Sequence, residues 1–212
     1  NAQSAEASKF LVKMLGDAKL DSITKSYVPT SLAKLNSRLD NPDPSVLPAL
    51  LQTFNDRDTD DSVRQSAAIG LGLLGHVTHE EVMKALLDYI SAGKDIQTRH
   101  FCFISLAQIG DRDTSPQEHG EVHERIKKLL LKEVSKPDAK SNRSWAALAS
   151  AIYAKGRESE GTFLAEISAA YEKEKDPSFK AAFALALGLL NAQHMGGQIF
   201  EDFQGSRDYD FK

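Results

Sequence analysis

The chain has 212 residues, 41% of them apolar and 26% charged, with a formal net charge of −4. That is enough apolar material for a packed core in one or two domains, which excludes wholesale disorder, and 13 glycines with seven prolines exclude a collagen-like or low-complexity chain. The longest apolar run, Ala181–Leu190, is far short of the roughly 20 residues of a membrane helix; a single cysteine leaves no intramolecular disulfide and no Cys-based zinc finger; and the acidic balance opposes nonspecific duplex binding, which rests on Lys and Arg neutralising phosphates.

The chain opens at Asn1 with neither Met nor a basic-then-apolar signal, so it reads as part of a longer protein. Cys102 fits a reducing, cytoplasmic setting, and an export signal upstream of Asn1 is compatible with the same sequence. Ala2–Leu15 and Pro29–Leu39 read as helices that form an N-terminal cap over residues 1–40. From there two kinds of helix alternate. Val46–Phe54, Glu80–Ile90, Val122–Val134 and Thr162–Tyr171 place apolar residues at spacings of three and four with charges between them, the pattern of an amphipathic helix. Each precedes a more apolar block: Asp60–Gly75, Asp95–Gly110, Ser141–Gly156 and Asp176–Asn191.

The four blocks align without gaps, at offsets of 35, 46 and 35 residues. The first column is Asp60, Asp95, Ser141 and Asp176, residues whose side-chain oxygen caps a helix start. The last is Gly75, Gly110, Gly156 and Asn191, residues that enter the left-handed conformation at a helix end. Between them, Leu71, Leu106, Ile152 and Leu187 share a column, and Ala68, Phe103, Ala149 and Ala184 lie one turn earlier on the same face. A period of this length marks a repeat protein. One helix pair cannot bury its own apolar faces, but stacked pairs can, so the expected fold is an all-α solenoid.

The unit resembles a HEAT repeat of the bacterial HEAT-like type. The resemblance rests on Val46-Leu47-Pro48-Ala49-Leu50-Leu51, Asp58 to Asp61, Val63-Arg64, Ala67-Ala68, Leu71-Gly72 and Leu74-Gly75, and again on Asp176 to Leu190. It covers roughly residues 41–191 and departs in the third copy, where Trp145 stands in the column of Arg64, Arg99 and Lys180, and Lys155 replaces an apolar residue. It implies a right-handed α-α superhelix of antiparallel helix pairs: four repeats at about 41–76, 77–111, 116–157 and 158–193. Residues 194–212 would begin a further, truncated copy, since Asp208-Tyr209-Asp210-Phe211-Lys212 mimics Asp176-Pro177-Ser178-Phe179-Lys180.

The chemical motifs are weak. Gly70-x-Gly72-x-x-Gly75 matches a dinucleotide fingerprint only in letters, because it ends a helix instead of linking a strand to one. Asp56-x-Asp58-x-Asp60 opens like a calcium loop but has Asp61 and Ala67 where Gly and Glu are required. His119 and His123, at i and i+4, could share a helix face and hold zinc, but Gly120 between them weakens the helix, and the expectation is no metal and no cofactor. HEAT-like deoxyhypusine hydroxylases hold iron on His-Glu pairs. The matching columns here are Gln65-Ser66, His100-Phe101, Ala146-Ala147 and Ala181-Ala182, none of them His-Glu. Other HEAT-like proteins attach bilins or excise alkylated bases; for the latter, Trp145, Tyr153, Arg143 and Lys155 form one local patch. Arg64, Arg99 and Lys180 are expected to pair with the capping acids or with an acid of a neighbouring repeat.

The inner helices keep a second face almost free of charge. From it the expected contact residues are Gln65, Ile69, His100, Phe101, Ile104, Gln108, Trp145 and Ser150, a weakly polar strip suited to an apolar peptide or amphipathic helix. The function this implies is a non-catalytic protein–protein scaffold whose partner is a protein or peptide. The alternatives are a HEAT-like enzyme or nucleic-acid-binding protein, and a segment that mainly spaces other domains.

Overall fold

A computed structural model describes residues 2–136 and 140–190. Among these residues the secondary structure is helical, with ten α-helices and no strand. They are α1 (Ala2–Leu15), α2 (Ser22–Asn36), α3 (Val46–Asn55), α4 (Asp61–Leu74), α5 (Glu80–Ala92), α6 (Ile96–Asp111), α7 (Gly120–Ser135), α8 (Lys140–Ala154), α9 (Glu160–Lys173) and α10 (Pro177–Leu189). The expected truncated repeat at 194–212 and the cap at Asn191 lie outside the described residues. The chain divides into two compact units, Asn1–Ile126 and Lys127–Lys212.

In the first unit, α1 packs on α2, α3 on α4 and α5 on α6, while α4 also packs on both α2 and α6. In the second, α8, α9 and α10 pack on one another. The odd helices bury one stripe, as their periodicity demands: Val46, Leu50 and Phe54 on α3; Val82, Met83, Leu86 and Ile90 on α5; Phe163, Ile167, Ala170 and Tyr171 on α9. The even helices are enclosed more completely. On α6, Cys102, Phe103, Leu106, Ala107 and Ile109 are all buried. Burial pushes the Cys102 thiol far above its ordinary value, so it is an inert core residue.

At the N-terminal end α2 packs on α4, as α4 packs on α6. The helix also starts seven residues before Pro29, with the Asp21 side chain accepting from Thr24 N. Pro29 is therefore interior, where it removes one helical hydrogen bond and crowds the preceding turn. The adjacent Thr30 N–H finds a partner on the neighbouring helix instead: Ser66 Oγ at 3.1 Å. The two hydroxyls, 2.8 Å apart, complete this link. Gly70 allows the approach, because a Cβ there would lie 3.2 Å from the Pro29 carbonyl oxygen.

Four cap expectations change. Asp95 and Asp176 cap α6 and α10 by side-chain acceptance, and Pro177 takes the first helical position, where its missing N–H costs nothing. Asp60 makes no side-chain cap bond, and Ser141 lies inside α8, which begins at Lys140. Of the expected helix-ending glycines only Gly156 is left-handed, at φ 72°. Gly110 lies within α6, and Gly75 has an extended backbone at φ −64°. Gly75 is required for space instead: an added Cβ would sit 2.6 Å from Leu71 O and 2.8 Å from Ile109 Cδ1.

Candidate functional site

The expected contact strip divides between the two units. In the first, Gln65, Ile69, Phe101, Ile104 and Gln108 are half-buried on α4 and α6. Spacings of three and four put Gln65 with Ile69, and Phe101 with Ile104 and Gln108, on one face of their helices. Gln65 is already engaged, its Nε2 donating to Asp95 Oδ2 at 2.9 Å. His100 is only 5% exposed, so it belongs to the core and is removed from the strip. In the second unit Trp145 is half-buried, but Ser150 is 0% exposed and donates to Ala146 O along its own helix. Ser150 too is removed, because small residues on an alanine-rich helix are packed against neighbours. The same columns are open further along: Leu185 on α10 is 57% exposed.

Of the cations expected to pair with capping acids, Arg64 does something different. Arg64 reaches back to the end of α3, donating from Nε to Phe54 O at 3.2 Å and from Nη2 to Asp56 O at 2.7 Å, with Asp61 on Nη1 at 3.0 Å. These carbonyls lack helical partners, so a guanidinium there caps the outer helix. In the second unit Arg143 does this work, donating from Nε to Val134 O at 3.0 Å on α7. It stands two positions before Trp145, a register the column alignment misses. Arg143 also pairs with Glu174 at 3.5 Å and lies 5.3 Å from the Phe183 ring centre. Lys180 covers the Tyr171 ring at 4.6 Å. Tyr153 is buried against Phe163 with Arg157 over its ring. Tyr153 and Arg143, half of the expected basic–aromatic patch, are thus committed to internal contacts.

One cluster was not legible as a unit. Asp113, in the turn after α6, has a side chain only 1% exposed. Its Oδ2 accepts from His119 Nδ1 at 2.9 Å and from His123 Nε2 at 2.8 Å. Ser115 N–H donates to Oδ1 at 3.1 Å, and His76 Nε2 stands 4.0 Å from Oδ1. His76, just past α4, meets Thr78 Oγ1 through Nδ1 at 3.0 Å, and its backbone N–H donates to His79 Nδ1 at 3.0 Å. The His76 ring stands edge-on to those of His79 and His119, at 6.3 and 6.0 Å.

Burial alone would raise the Asp113 carboxyl, but hydrogen bonds from His123, His119 and the Ser115 backbone outweigh it and hold it at about 2. Burial, then the charge of His76, lowers His79. His119 and His123 do converge on one carboxylate oxygen, but His119 lies in the turn before α7, and each spends a ring nitrogen on that carboxylate. Among the described residues, no group of three or more His, Cys, Asp or Glu is arranged to hold a metal ion. The only sequence signal was the pair of histidines itself; Asp113 lies in a loop and His76 comes from the turn after α4, so no local spacing joins them.

No family model matches the chain, and no curated protein matches it.

Proposed function

We propose that the chain is a HEAT-like α-solenoid module, a non-catalytic scaffold that binds a protein or peptide on the face formed by its inner helices. The alternation supports the solenoid reading: α1 packs on α2, α3 on α4, α5 on α6 and α9 on α10, and α4 contacts the even helices on either side of it. That is the contact pattern of stacked pairs.

The observation that carries the binding reading is the half-exposed apolar row of Ile69 on α4 with Phe101 and Ile104 on α6. Retained apolar exposure on this face, which continues at Leu185 on α10, is the feature a partner would use. A few such anchors carry most of the energy of a protein interface. The occupant is an apolar or amphipathic helix or peptide. The test compares partner capture from the native source by the wild-type chain and by Phe101→Asp/Ile104→Asp, with helicity checked by circular dichroism. Loss of capture with intact helicity supports the reading, and unchanged capture overturns it.

A further inference from the structure

Between the outer helices α3 and α5 the first unit carries a groove. It consists of two cavities, of about 500 and about 660 Å³, whose walls share Leu51, Asn55 and Glu81. Each is of the size that holds a ligand, roughly 300–1,000 Å³. Leu47, Leu51 and Asn55 recur every four residues along one side, and Glu81, Ala85 and Asp88 along the other, so each helix turns one face to the groove. The floor is apolar: Leu51, Ala85 and Tyr89 are half-buried, and Phe54 is buried. Tyr89 is held on three sides. The Phe54 ring stands 5.3 Å away, the Arg64 guanidinium lies over the Tyr89 ring at 5.9 Å, and Gly93 leaves room that a Cβ would take from the ring. A floor fixed in this way does not have to be ordered by what binds it.

The charges around this floor are uneven. Lys84 and Asp88 neutralise each other at 2.7 Å, and Arg64 is spent on the carbonyls at the end of α3. What remains is Arg57 just past α3, with Glu80 and Glu81 at the start of α5. All three are exposed, and their side chains make no hydrogen bond or ion pair among the described residues. Asp56 and Asp58, which flank Arg57 in sequence, line a separate cavity that also includes Val12 and Leu15 of α1. His79, beside the two glutamates, is lowered by burial and by the charge of His76, so it adds no cation at neutral pH. The groove is thus basic toward Arg57, acidic toward Glu80 and Glu81, and apolar between.

We infer that this groove is a second binding site, which takes a short extended peptide segment with an apolar centre, a carboxylate at one end for Arg57 and a cation at the other for Glu80 and Glu81. Rim charges of this kind select a partner by rejecting like charge as much as by attracting its opposite. The groove follows about three turns of α5, roughly 16 Å. An extended hexapeptide spans that length at about 3.3 Å per residue. The site lies on outer helices and is separate from the inner-helix face proposed above.

The probe is acetyl-Lys-Ala-Leu-Phe-Ala-Asp-amide, compared with the same peptide carrying Lys in place of Asp. Calorimetry with the full chain at pH 7.4 is expected to show the mixed-charge probe binding about tenfold more tightly, the equivalent of one hydrogen bond to a charged group. Arg57→Glu, a change at an exposed turn residue checked by circular dichroism, should reverse that preference. Amide chemical shifts of the wild-type chain supply a readout that needs no variant: the mixed-charge probe should move residues 47–57 and 78–93. No binding of that probe at millimolar concentration overturns the inference. So does a preference that Arg57→Glu leaves unchanged, or shifts confined to the inner faces of α4 and α6.

Discussion

Gly72 on α4 and Gly188 on α10 stand in the same column of the repeat, yet their surroundings are opposite. A Cβ on Gly72 would fall 2.5–2.8 Å from the side chain and backbone of Ser105, so α4 and α6 touch there through glycine. A Cβ on Gly188, two residues before the described residues end, meets nothing within 4 Å among them. Around Gly72 the contact is also polar: Ser105 Oγ donates to Ala68 O at 2.8 Å, and Arg112 binds the last carbonyls of α4. In the second unit the corresponding helices meet through alanine and aromatic surface, with Ala146, Ala147, Phe183 and Ala186 buried and Arg143 lying over Phe183. The α4–α6 and α8–α10 contacts thus use two solutions. Where backbones approach closely, polar groups must be matched one by one; where side chains fill the gap, apolar area alone suffices.

The contrast can be broken most sharply at Gly72. Gly72→Val must force α4 and α6 apart, at a cost of about 3 kcal/mol, the upper range for overpacking, and chemical denaturation would record it. Next come the guanidinium caps. Arg143→Ala and Arg64→Ala each strip charged donors from the end of an outer helix and should cost about 1.5–3 kcal/mol, the range for a hydrogen bond to a charged group. Arg143→Lys should recover only part of the loss, because a lysine lacks the planar fork that serves the carbonyl, the carboxylate and the ring together. The smallest effect is expected at Gly188. Gly188→Ala should leave stability unchanged or raise it by about 0.5–1 kcal/mol, since helix propensity improves and nothing blocks the methyl. A loss at Gly188 as large as that at Gly72 would erase the distinction between the two units.

Acid separates the units in a further way. Asp113 is held below its unfolded value, so it contributes stability above about pH 4 that is lost as pH falls toward 2. Asp113→Asn should flatten that acid limb when unfolding free energy is measured at pH 5 and pH 3. A wild-type limb that persists in the variant would move the source of acid sensitivity elsewhere.

Much of the helix order was legible because it depends on local rules. The caps at Asp95 and Asp176 and the apolar periods placed α4, α6, α8 and α10 within one or two residues of their ends. What was not legible depends on contacts between segments distant in sequence. Pro29 looked like a helix start, and only Ser66, 36 residues on from Thr30, shows why it is tolerated inside α2. Gly75 looked like a left-handed stop, whereas Ile109 on the next inner helix is what excludes a side chain. His100 and Ser150 lay in columns of expected exposure, but burial is set by the neighbouring helix and not by the column. Asp113 was passed over because its partners come from segments distant in sequence, and Arg143 because the capping role moved two residues when Trp145 took the usual position.

The central claim is that successive inner helices lie side by side, with α2 already one of them. Thr30→Cys/Ser66→Cys tests it directly, since the two hydroxyls it replaces are 2.8 Å apart and no other cysteine is near the surface. Under mild oxidation, peptide mapping by mass spectrometry should find the 30–66 disulfide in nearly all molecules of the folded chain. Free thiols at both positions, with Cys102 still protected, would contradict the packing of α2 on α4 and the stacked-pair architecture built on it.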